Sequence, residues 1–174
     1  MNPLESLAHR IEGARSLDGV AGQARAQAHE HLVDNDRLDA LLGGDWLGHR
    51  LHPVLVQVPM GAWLMATLLS VKDADRHAEA VEALLATGVL SAVPAALAGV
   101  HDLATTSGSA TRVGLVHAGV NDVALGLFLA AWRKQRRGDR RGARRLMLAG
   151  AGVAGGGAYL GGHLVYRLGV GVDD

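Results

Sequence analysis

The 174-residue chain contains no cysteine. Disulfides, thiolate metal sites and cysteine-ligated iron–sulfur clusters are therefore excluded. Aromatic residues are scarce: one phenylalanine, two tyrosines and three tryptophans stand against 24 glycines. That balance predicts an Ala/Gly/Leu/Val interior in which helices approach closely. No apolar run occurs before residue 50, so no secretory signal peptide is expected. A Gly-x-Ser-x-Gly elbow and a phosphate-binding glycine loop with lysine are also missing, and nucleophilic catalysis has no support. An excess of one charge sign is lacking too, since the formal net charge is zero. The zero conceals two regions. Residues 1–50 carry five arginines against eight acids, and the remainder twelve basic groups against nine acids. No global basic field points to nucleic acid.

Residues 1–47 alternate charge with small apolar side chains. The stretch SLDGVAGQARAQAHEHLVDNDRLDALLGG predicts one or two amphipathic helices ending at Gly43-Gly44, with Leu38, Leu41 and Leu42 as a weak stripe for a membrane surface or partner helix. The character then changes. Apolar segments at about 54–71, 78–101, 113–132 and 146–166 each reach the length of a spanning helix. Pro59 and Pro94 are expected to bend the first two. The fourth, LMLAGAGVAGGGAYLGGHLVY, is too glycine-rich for a stable helix in water but suits a bilayer, where the backbone must satisfy itself. Its glycine pairs, Gly152/Gly156 and Gly157/Gly161, would let a neighbouring helix approach. The expected fold is all-α: a four-helix transmembrane bundle over 48–172 with an amphipathic helical extension at 1–47. The connector RKQRRGDRRGARR and the residues Lys72 and Arg76 share one side, which the positive-inside rule assigns to the cytoplasm. Both termini are then extracytoplasmic. Trp132 fits the inner aromatic belt, and Trp46 and Trp63 fit interfacial anchoring or packing.

On that topology each of the four helices brings a histidine to the outer side: His52, His101, His117 and His163, with His49 nearby. Three explanations stand. In the first, the rings simply cap helices and pair with carboxylates such as Asp102. In the second, two of them are axial ligands of a b-type haem, with opposing glycines leaving room for the macrocycle. In the third, three or four hold a divalent metal such as zinc or copper. Asn121 lies one turn from His117 and could orient it or meet a substrate group. Asp122 falls near the bilayer centre, where a carboxylate is costly. It is expected to hydrogen-bond Thr87, Ser91 or Gln57, or to relay protons. His52-Pro53 has a plain reading as a helix start, because proline in the first turn forfeits no hydrogen bond.

The motifs WLGHRLHPVLVQVPMGAW, AVPAALAGVHD, RVGLVHAGVNDVAL and YLGGHLVYRLGVGV, in that order, resemble the bacterial membrane family known as domain of unknown function 2231. The resemblance covers about residues 40–172 and implies a four-helix membrane fold. The family's motif histidines correspond to His49, His52, His117 and His163, with Asn121 in the third helix. Arg50 stands where relatives often carry a proline, and His101 falls at a position expected to vary. Some relatives look fused to Rieske-type iron–sulfur domains, which implies an electron-transfer setting. Here any Rieske partner would be a separate protein.

The expectation is therefore a multi-pass protein of the bacterial inner membrane, in contact with lipid and open to homo-oligomerisation. It would act as an electron carrier binding b-type haem or quinone through His52, His117 and His163, with Asn121 and Asp122 as polar neighbours. His49 and His101 are the secondary candidates. The same three histidines binding a divalent metal is the alternative site, and a non-enzymatic scaffold or a metal or proton transporter the alternative function.

Overall fold

The computed structural model describes residues 2–172, and among them every regular element is helical. The N-terminal segment forms α1 (Pro3–Gly13), α2 (Asp18–Ala28) and α3 (Asp36–Gly43). The first has a capping box: the Glu5 N–H donates to Asn2 Oδ1 at 2.8 Å, and the Asn2 N–H to Glu5 Oε2 at 3.4 Å. Proline at its first position needs no intrahelical acceptor. Between α2 and α3 the chain widens into a π-helical turn over His29–Val33, and Asn35 caps α3 through the N–H groups of Arg37 and Leu38. The end of α3 falls at the expected Gly43-Gly44, with Gly44 left-handed at φ 87°.

The remaining elements are α4 (Leu51–Leu55), α5 (Gln57–Asp73), α6 (Ala78–Ala104), α7 (Gly108–Arg136) and α8 (Arg140–Tyr166). The bend expected at Pro59 is a break at Val56. Proline 59 has no N–H for the Leu55 carbonyl, so the ladder is interrupted one turn before it. Pro94 is accommodated within α6. The helices outrun the apolar segments because hydropathy marks only their apolar middles. Asp139 illustrates this at α8. Its Oδ1 accepts from the Gly142 N–H at 2.9 Å and its Oδ2 from Lys134 Nζ at 2.6 Å, starting the helix among arginines. Those bonds, that from Lys134 first, hold the Asp139 carboxyl below its usual pKa.

Three segments are long and apolar enough to cross a membrane: Leu51–Asp73, Ala78–Ala104 and Gly108–Arg136. Only 28, 33 and 22% of their most apolar windows are buried within the protein. Their outer faces carry Leu64, Leu68, Val71, Leu90, Val93 and Leu97, all exposed. A water-soluble domain would put polar side chains there. The glycines of α8 lower its hydropathy and set it apart from the other three.

The chain divides into two compact units. One comprises Pro53–Ala95 and Val120–Gly156 and is built around Trp63, Val81, Leu85, Phe128 and Met147. The Trp63 indole stacks on the Phe128 ring at 4.4 Å between centroids and 6° between planes. A side chain at Gly88 would overlap the indole, and one at Gly150 would come within 3.0 Å of the phenyl ring. Gly88, Trp63, Phe128 and Gly150 thus pack in succession, one from each of α6, α5, α7 and α8. The single phenylalanine is fully buried there.

The other unit comprises Met1–His52, Ala96–Gly119 and Gly157–Asp174. In it the acidic N-terminal segment is fastened to the ends of the long helices by ionic contacts. Arg112 of α7 donates through Nε to the Glu12 carbonyl at 2.8 Å and through a terminal nitrogen to Asp18 at 2.6 Å. Arg167 lies 3.5 Å from Glu5. Arg112→Met keeps the side chain's bulk and removes both bonds. Its expected effect is local opening of the α1–α2 region, made easier by about 1.5–3 kcal/mol. Limited proteolysis should show faster cleavage there, while the unfolding temperature of the long helices stays put.

Candidate functional site

The histidines are positioned by the stretch before α4. Asp45–Leu47 forms a 3₁₀ turn between two left-handed glycines, Gly44 at φ 87° and Gly48 at φ 74°. A side chain at Gly44 would run into the His49 carbonyl, so only glycine fits that corner. The corner delivers Arg50, Leu51 and His52 to the start of α4, and leaves the His49 side chain exposed.

His52 meets His117 of α7, with ring centroids 6.3 Å apart and planes at 89°. Each imidazole rests on a glycine. A Cβ at Gly99 of α6 would lie 2.9 Å from His52 Nδ1 and Cε1, and one at Gly161 of α8 would lie 3.0 Å from His117 Cε1. The order of residues repeats that of the other unit, glycine, ring, ring, glycine, drawn from the same four consecutive stretches of chain, but the imidazoles meet edge-on where the indole and phenyl stack. Every member stands 11 residues from its counterpart in sequence, at 52 and 63, 88 and 99, 117 and 128, and 150 and 161. His117 Nδ1 is 2.9 Å from the Gly157 carbonyl, which can only accept. Nδ1 therefore carries a proton, which leaves Nε2 with the lone pair whenever the ring is neutral.

The other two outer histidines have carboxylate partners. His163 is buried, with Nε2 2.7 Å from Glu12 Oε1, which also lies 3.2 Å from His9 Nδ1. The His9 ring stands edge-on to it at 6.1 Å, and Tyr159 lies against it at 6.5 Å. His101, only 1% exposed, places Nε2 2.8 Å from Asp39 Oδ1 of α3. The structure thus brings His52 and His117 together and holds His163 and His101 against acids of the N-terminal segment. Among the described residues, no three His, Cys, Asp or Glu side chains converge as a metal site.

Asn121 is half-buried on α7 and Asp122 is exposed on the same helix. Two groups expected to bond Asp122 donate elsewhere: Ser91 Oγ to the Thr87 carbonyl at 2.7 Å, and Gln57 Nε2 to the Pro53 carbonyl at 3.2 Å. Glu12, Asp18 and Asp39 belong to the site's surroundings and were not foreseen. The sequence signal for them was the acid excess of the first 50 residues, placed opposite histidines and arginines at helix ends.

A helical chain with three spans long and apolar enough to cross a membrane, and a half-buried histidine pair at its helices, defines a class, the membrane proteins. Residues 48–174 match the family model described as predicted membrane protein, DUF2231, and the chain belongs to that family. No curated protein and no solved structure matches it.

Proposed function

We propose that α8 crosses the membrane with the three apolar spans, and that this four-helix protein is a redox module holding a b-type haem between His52 and His117. The pair's geometry carries the proposal. Imidazoles bound on opposite faces of one metal ion through bonds of about 2 Å have ring centroids about 6 Å apart, and these rings stand at 6.3 Å. The Gly157 carbonyl on His117 Nδ1 is the partner expected behind a ligating imidazole, since it fixes the tautomer and the ring's orientation. Gly99 and Gly161 supply seats that any side chain would fill. Bound there, haem iron supplies one-electron chemistry, while the chain orients it and keeps it in an apolar setting. The basic α7–α8 connector favours a cytoplasmic position for that end of the helices and an extracytoplasmic one for the N-terminal segment.

The test is a reduced-minus-oxidised visible spectrum of the protein, expressed with haem precursor and purified in mild detergent. Wild type should show bis-histidine bands, and His117→Ala should lose them while still inserting in the membrane. A colourless wild type, or full haem retained by His117→Ala, would sink the assignment.

A further inference from the structure

One buried group has no part in that site. His101 lies among two carboxylates and an arginine. Its Nε2 meets Asp39 Oδ1 at 2.8 Å, and Asp39 is 44% exposed at the surface. Its Nδ1 is buried without a hydrogen-bond partner and faces Asp102 Oδ1 at 3.8 Å. That oxygen is likewise buried and unbonded, with an Arg50 terminal nitrogen 3.7 Å away. Two unsatisfied buried polar atoms facing each other are costly, and such a pair calls for an explanation, a working contact among them. Asp102 lies one helical turn from Gly99, the seat of the His52 ring, and within electrostatic range of His52.

We propose that His101 is a proton-relay residue connecting Asp39 at the surface to Asp102 on the interior side, and through it the His52 ring to the aqueous phase. It rests on the preceding assignment only in taking that ring as the interior end. The charged and titratable groups facing His101 are Asp39 from α3, Arg50 from the chain before α4, and Asp102 from α6 itself, with His52 of α4 beyond Asp102.

The transfer balances in both directions. Outward, a proton on Asp102 moves to His101 Nδ1 as the Nε2 proton leaves to Asp39, and the ring ends in the Nδ1–H tautomer. Inward, Asp39 returns a proton to Nε2 as Nδ1 gives its own to Asp102, and the first tautomer is restored. One cycle exchanges an interior proton for a solvent one without a ring flip. The step requires the 3.8 Å gap to close by about an ångström, the tightening usual for working proton transfers.

The experiment follows exchange of the His52 ring N–H proton into heavy water, by NMR of isotope-labelled histidine in the intact, reduced protein. His101→Gln keeps a polar group beside Asp39 but cannot carry a proton through, and should slow the exchange at least about tenfold. Asp39→Asn alters only an exposed group, so it should fold normally, and it should slow exchange as well. If His101 merely pinned α3 in place, its loss would open the site and speed the exchange. Unchanged or faster exchange in both variants overturns the relay, and slower exchange in both supports it. Haem is not needed for the measurement, so a colourless protein would overturn the earlier assignment while this one is still decided by the rates.

Discussion

Phe128→Ala should destabilise the protein by about 3 kcal/mol, the lower end of the range for removing a buried ring. In lipid the lost term is packing rather than transfer from water, which is why the lower end applies. Packing is nonetheless concentrated at this position. Phe128 is fully buried, has Trp63 stacked on one face at 4.4 Å and presses the α8 backbone at Gly150 with its edge. Neither neighbour can collapse into the space. The indole is itself backed by Gly88, so following the vanished ring would cost it that contact. Its Nε1 has no hydrogen-bond partner, so no polar anchor redirects it. Unfolding in mixed detergent, followed by tryptophan fluorescence, should show a lower midpoint, together with an altered native spectrum from the unstacked Trp63. A midpoint within the error of wild type would mean the stack contributes little.

Much of the helical framework was legible because it follows from hydropathy alone. The stretches around 78–101 and 113–132 contain hardly a charge, and α6 and α7 form over them with polar ends added. The break at Val56 was half-legible: Pro59 announces a disturbance, but whether a helix bends or parts depends on its neighbours. What could not be foreseen is what faces what. Gly88, Trp63, Phe128 and Gly150 come from four stretches, and composition argued against an aromatic core because there is only one phenylalanine to place. Trp63 looked equally suited to a membrane interface, and its burial follows from the space Gly88 opens. Histidines at a common end were legible from topology, since helix direction alternates. Their sorting into a mutual pair and two acid-bound rings was not. It depends on Glu12 and Asp39, which sit 151 and 62 residues from their partners.

Gly99→Ala should weaken haem binding by about 10–100-fold, the usual penalty for disturbing a group that supports a metal ligand. The added methyl would stand 2.9 Å from both Nδ1 and Cε1 of His52, closer than side-chain carbons tolerate. An imidazole is rigid, so His52 must swing as a whole and lose its orientation toward His117. Helix propensity pulls the other way, because alanine favours a helix over glycine by about 1 kcal/mol. The variant should therefore fold at least as readily as wild type while binding haem less well, a separation that general destabilisation would not produce. Gly152→Ala gives the internal comparison. It makes the same chemical change on α8 with nothing within 4 Å of the new carbon, so haem affinity should not move. Haem titration of the two purified variants, each paired with a thermal melt, checks both arms. Wild-type affinity in Gly99→Ala would show that the His52 ring does not need its glycine seat and would remove one of the supports for a haem between the two histidines.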